Sequence, residues 1–207
     1  MKTLRLFIGA VLAGISIALG GLVFLSVENK VIGAALFTVG LFTVCTFGLN
    51  LFTGKVCYAF DNDAAYALML PVIWLGNLAG TGLTALCASL TRAAPALTEK
   101  AAALCQAKLG DSMVSLFFLG VLCNVFIYIA VEGYKNNPHE LGKYLSLIFG
   151  VMVFILCGTE HCVADMFYFW MGRVWNGHAI LCILVITLGN AVGGVLFPLL
   201  RRLQNSK

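Results

Sequence analysis

Glu160 and His161 sit side by side in Ile155-Leu156-Cys157-Gly158-Thr159-Glu160-His161-Cys162-Val163-Ala164-Asp165-Met166-Phe167, a stretch otherwise rich in apolar residues. A histidine with an ordinary pKa of about 6.5 can take up or release a proton near neutrality. In hydrocarbon, an ionisable side chain costs at least ~2.5–3.5 kcal/mol at the bilayer centre, so it is kept only where it faces a pore or a protein interior. In a membrane setting the pair therefore marks a path for a substrate or for protons. A second polar group, Asn50 with Thr53, lies in Gly48-Leu49-Asn50-Leu51-Phe52-Thr53-Gly54. Thr53 can both donate and accept a hydrogen bond.

The setting is a membrane. The chain is 61% hydrophobic and 11% charged, with a mean hydropathy of +0.98. A soluble domain with that surface would not stay dissolved. Uncharged runs cover residues 6–27, 31–54, 64–91, 112–131, 144–159 and 179–200. About 20 apolar residues cross a bilayer, so five runs suffice alone, and the fifth becomes long enough if it continues through Glu160-His161 to Gly172. The expectation is an all-α protein of six spans forming one transmembrane domain over 1–207. The first run exceeds a signal-peptide core and is read as a span.

Lys2, Arg5, Lys135, Lys143, Arg201, Arg202 and Lys207 fall on one side of this topology, and Lys30, Arg92, Lys100, Lys108 and Arg173 on the other; Lys55 fits neither group. The excess places both termini in the cytoplasm. The net charge of +4 thus reflects topology, with no nucleic-acid patch. The eight cysteines are scattered without a CxxC pair, which argues against a zinc framework, and no cofactor is expected.

Two of the segments, 31–60 and 144–172, are too long for straight spans. A helix of that length measures about 45 Å against a hydrocarbon core of about 30 Å. Each carries helix breakers at its middle, so helices two and five are expected to be discontinuous, with half-helix ends meeting near the midplane. Short repeats agree. Gly76-Asn77-Leu78-Ala79-Gly80 returns as Gly189-Asn190-Ala191-Val192-Gly193, Gly9-Ala10-Val11-Leu12 as Gly120-Val121-Leu122-Cys123, and the break at Asn50 returns at Glu160. Three spans per repeat is an odd number, so the repeats (about 6–91 and 112–200) must be inverted relative to one another.

Unpaired N–H groups at two half-helix starts would favour an anion between them. An anion there could take a proton from His161, become a neutral acid and cross an apolar constriction that excludes the ion. Each residue also admits a structural role. His161 could tie two helices together, Thr53 could satisfy backbone freed by Gly54, and Lys108 could be a boundary lysine whose stem lies along apolar surface. The pore role is the one expected for His161 and Thr53, and a supporting role for Glu160.

The two breaks resemble the formate/nitrite transporter family. Leu51-Phe52-Thr53 is similar to its second-span loop. Gly158-Thr159-Glu160-His161-Cys162-Val163-Ala164-Asp165-Met166 is similar to its fifth-span signature, and Gly189-Asn190-Ala191-Val192-Gly193-Gly194 to its sixth. The resemblance implies an aquaporin-like protomer in a homopentamer, each protomer with its own pore. It implies proton-coupled transport of small monovalent anions such as formate (favoured), nitrite or hydrosulfide. By motif, His161 becomes the central histidine, Thr53 its partner across the pore and Lys108 the lysine of the vestibule before the fourth span. Asn124 falls on a polar position of that span, and Phe37, Leu41, Leu51, Phe52 and Phe154 fall where two hydrophobic constrictions are built.

Two residues depart from the pattern. Asn50 stands where an acid is common, and Asp165 where Asn is usual, so Asp165 is expected to replace the lost acid structurally. Little precedes the first run, so an N-terminal gate of the kind proposed for some members is not expected.

Two rivals remain. An aquaporin-like channel for neutral solutes lacks Asn-Pro-Ala boxes and leaves His161 beside Glu160 without a role. An intramembrane enzyme or metal site built on Cys157, Glu160, His161 and Cys162 would have incomplete coordination.

Overall fold

The computed structural model describes residues 2–206; Met1 and Lys207, the latter counted above among the cytoplasmic charges, lie outside the described residues. Among the described residues nine α-helices run in order: α1 (Lys2–Ser26), α2 (Lys30–Thr46), α3 (Phe52–Val56), α4 (Ala64–Ser89), α5 (Ala94–Leu109), α6 (Met113–Asn136), α7 (Glu140–Leu156), α8 (Cys162–Met171) and α9 (Gly177–Asn205). By length and composition, α1, α4, α6 and α9 are each able to cross a membrane. Their outward faces are apolar, with Leu86, Phe118 and Leu188 each 58% exposed, whereas Asn77, Asn124 and Asn190 are wholly buried. Polar groups inside and leucines outside suit a hydrocarbon solvent, in which every interior polar group needs an internal partner.

Both long segments are interrupted. α2 stops at Thr46 and α3 starts at Phe52; α7 stops at Leu156 and α8 starts at Cys162. The same device makes each stop. Gly48 and Gly158 adopt left-handed φ values of 63° and 68°. The following residues fold back, Leu49 N–H to Val44 O at 2.9 Å and Thr159 N–H to Phe154 O at 3.1 Å. This is a glycine-terminated Schellman cap, and a side chain at either glycine would be strained.

The long helices pack in matched pairs, α1 on α4 and α6 on α9, while α2 lies on α1 and α7 on α6. Close approach depends on small residues. A Cβ on Gly80 would stand 2.1 Å from Val11 O of α1, and one on Gly193 would stand 2.0 Å from Val121 O of α6. The two short helices cross over: α8 packs on α4 as well as α9, and α3 on α9 as well as α4. Four long helices thus enclose the points where α3 and α8 begin.

The uncharged runs leave the connection before the fourth run without structure. Here it is α5, which buries Leu97, Ala101 and Cys105 on one stripe at every fourth residue. That spacing sets one helical face, and the face lies mainly against α8. Lys108, in the last turn of α5, is thereby carried to the start of α8.

Candidate functional site between two interrupted helices

Asn77 of α4 and Asn190 of α9 pin the interruptions. Asn77 accepts from Phe52 N–H at 2.8 Å and donates to Ala10 O at 2.8 Å and Asn50 O at 3.0 Å. Asn190 accepts from Cys162 N–H at 2.9 Å and donates to Gly120 O and Glu160 O, both at 2.8 Å. Adjacent backbone bonds match as well, Asn50 N–H to Gly9 O and Glu160 N–H to Leu119 O. Both asparagines lie in the repeated Gly-Asn segments, and no site role was expected of them. Their signal was that repetition, read at the level of the loops it serves.

These bonds amend one expectation. The N–H groups at the half-helix starts are not all open to an anion: Phe52 and Cys162 give theirs to the asparagines, and Ala164 gives its own to Nδ1 of His161 at 3.1 Å. His161 is thus the N-cap of α8. Because Nδ1 accepts a hydrogen, the neutral ring carries its proton on Nε2. Nε2 lies 2.9 Å from Thr53 Oγ1, so the imidazole donates to the hydroxyl across the gap. Thr53 is held in turn by Asn124, whose Nδ2 donates to Thr53 O at 3.0 Å, and Asn124 Oδ1 is buried without a partner among the described residues.

Phe154 stacks on the imidazole with ring centres 5.6 Å apart, and Phe37 meets Phe154 edge-on at 6.0 Å. Phe37, Phe154, His161, Lys108 and Asp165 share the lining of a cavity of about 130 Å³. A separate cavity of about 310 Å³ is lined by Leu41 and Leu51, together with Lys55 and Lys135. One turn of α2 separates Phe37, on the first cavity, from Leu41, on the second. His161 lines the smaller of the two, and Thr53, bonded to it, lines neither.

Lys108 is not an isolated vestibule charge. Its ammonium pairs directly with Glu160 and lies 2.9 Å from Asp165 Oδ1. All three side chains are largely buried, and Asp165 Oδ2 has no partner among the described residues. Asp165 therefore does not stand in for an acid at Asn50. It belongs to the Lys108 cluster, whereas Asn50 turns away to α1, donating to Leu6 O at 3.2 Å. Asn50, Phe52, Thr53, Asn124 and Glu160 line neither cavity. For Cys157 and Cys162 the arrangement offers no common site, since the first is exposed and the second buried.

The formate/nitrite transporter profile matches residues 1–202. Nitrite transporter NirC of Salmonella typhimurium is 32% identical over 196 residues, covering 86% of this chain and 72% of its own length. Formate channel FocA of Haemophilus influenzae is 26% identical, covering 92% and 82%. An ion channel of the same family superposes with a TM-score of 0.88 at 26% identity, over 99% of this chain and 91% of its own. A pentameric formate channel with formate bound shares the fold, with a TM-score of 0.81 at 23% identity, covering 99% and 97%. These relatives are transporters and channels rather than enzymes. An all-helical protein with several apolar helices and this profile along its length is a multi-pass membrane protein, and it belongs to the formate/nitrite transporter family.

Proposed function

We propose that this protein moves small monovalent anions with a proton, through a pore gated by the Thr53–His161 contact. The carrying observation is that contact: a histidine N–H donated to a threonine hydroxyl at 2.9 Å, with Phe37 and Phe154 beside His161 on the lining of one cavity and Leu41 and Leu51 on the lining of another. Phe37, Phe154, Leu41 and Leu51 form the two apolar constrictions, with Phe52 packed beside them. His161 takes up a proton at Nδ1 from the aqueous side the anion enters from and passes it to the anion, which leaves as its acid while the ring returns to neutral imidazole. Neutralisation removes most of the cost of crossing the apolar steps. A proton on Nδ1 ends the bond from Ala164 N–H, which disfavours the charged ring.

In this reading 1–207 is one transmembrane domain of six segments, α2 with α3 and α7 with α8 each making a broken span. The segments form two inverted repeats, about 6–91 and 112–200, with both termini cytoplasmic. Lys108, Glu160 and Asp165 set the charge beside His161, and Asn124 and Asn50 hold the α3 loop. Five copies assemble, each with its own pore, as the shape shared with the pentameric formate channel suggests. Formate is favoured by the frequency of that substrate in the family. The NirC relatives, at 30–32% identity, put nitrite beside it, and hydrosulfide has the same charge.

Purified protein in liposomes with a trapped pH dye tests this. Formate, nitrite, hydrosulfide and lactate are added in turn to wild type and to His161→Asn. Wild type is expected to acidify the lumen with one or more of these anions, and the variant to lose that proton movement. A variant equal to wild type would overturn the histidine mechanism. Failure of every anion would leave a channel for neutral solutes as the better reading.

A further inference from the structure

We propose that Lys55 and Lys135 form a second anion site, in the cavity of about 310 Å³ that they line together with Leu41 and Leu51. The inference rests on the anion-transport reading above and extends it to the other mouth of the pore. Lys55 belongs to neither group of the alternating charge pattern. The structure puts it beside Lys135, on the lining of the same cavity.

The two mouths differ in charge. On the His161 side, Lys108 on the lining is engaged by Glu160 and Asp165, and Lys30 adds one further cation to the lining. On the Lys55 side no Asp or Glu lines the cavity. Lys55 forms no ion pair among the described residues, and neither does Lys135, whose ammonium lies 4.0 Å from the centre of the Tyr58 ring. Glu132 approaches through Tyr58, whose hydroxyl donates to it at 3.1 Å, but Arg201 neutralises it at 3.0 Å.

Lys55 is also anchored. Tyr66 donates its hydroxyl to Lys55 O at 2.8 Å, and Lys55 N–H bonds Leu51 O at 2.9 Å. The backbone that carries this lysine is thereby tied to the turn bearing Thr53, two residues away. Two unpaired cations in a confined, low-dielectric mouth raise the local concentration of anions, and added salt screens the effect. The ligand is a small monovalent anion, held by charge at the last aqueous position before Leu41 and Leu51.

Cys45, half-buried on the same lining, supplies a probe independent of transport. In a Cys87→Ser/Cys157→Ser background, its rates with an anionic and a cationic methanethiosulfonate are compared. The ratio cancels any change in the reactivity of the thiol itself. The anionic reagent is expected to be favoured, with the preference falling about 3- to 10-fold in Lys55→Gln and in 0.5 M salt. In liposomes, the formate or nitrite concentration giving half-maximal flux should rise by a similar factor when the anion is presented on the Lys55 face, with Lys55→Arg restoring it.

An unchanged reagent ratio overturns the site, whether or not the protein transports anions. A changed ratio with unchanged half-saturation overturns its place on the transport path. Failure of wild type to move any anion, with the ratio behaving as expected, overturns the transport reading and leaves the anion site standing.

Discussion

Asn77 and Asn190 make the same three hydrogen bonds, each accepting from the first residue of a short helix and donating to the loop before it and to the facing long helix. Each asparagine thereby converts a potentially costly break in the chain into a fixed point. Thr53 follows one fixed point by a single residue, and His161 immediately precedes the other. Their 2.9 Å contact results from two equivalent restraints acting from opposite helices.

Replacing either asparagine by alanine strands one N–H and one loop carbonyl in the interior, since Ala10 O and Gly120 O lie inside α1 and α6 and keep their intrahelical partners. About 1–3 kcal/mol is expected for each group left buried and unpaired. Asn77→Ala and Asn190→Ala should therefore lower the melting temperature in detergent by similar amounts. Asn77→Asp keeps the acceptor but turns a buried carboxyl toward two carbonyl oxygens, so it should be no more stable than the alanine variant. A melting curve for either alanine variant that overlays wild type would show that the restraint is not needed.

Thr53→Val keeps the shape of the side chain and removes the acceptor for His161 Nε2. Flux of formate or nitrite should drop at least tenfold, while Thr53→Ser, which restores a hydroxyl, should recover most of it. Liposome flux at fixed anion concentration reads both. Equal flux in Val and Ser variants would place the threonine in packing alone.

Lys108→Met leaves Glu160 and Asp165 buried without their cation, a change expected to cost about 3–5 kcal/mol. Asp165→Asn retains an oxygen for Lys108 and removes one of two competing carboxylates, so its stability should stay within about 1 kcal/mol of wild type. Combining the two should cost less than the sum of the single changes, because they share a cluster. Strict additivity in denaturation would mean that the three groups act separately.

Gly193→Ala would drive a Cβ to 2.0 Å from Val121 O, a backbone atom that cannot step aside, whereas Gly177 has open space around it. Gly193→Ala should fail to accumulate as folded protein in membranes, and Gly177→Ala should accumulate normally. Size-exclusion profiles of the two variants compare them directly.

The sequence by itself determined the solvent and the places where helices must fail. Runs of apolar residues without charge can be stable only in lipid, and Gly48 and Gly158 stop their helices because glycine alone adopts a left-handed φ without strain. The residues at the breaks, Thr53 and His161, were legible for the same reason, since a polar side chain in such a run stands out. Other features depended on contacts between residues far apart in the chain. No local pattern tells that Asn50 bonds α1 while Asp165 joins Lys108, or that α5 carries Lys108 to the start of α8. Only tertiary packing brought Glu160 and Asp165 to one ammonium and filled the first N–H groups of α3 and α8 with asparagine oxygens. It also placed Lys55 with Lys135. Charge and hydrogen-bond pairing depend on distance in space, and that is decided when α1 closes on α4 and α6 on α9.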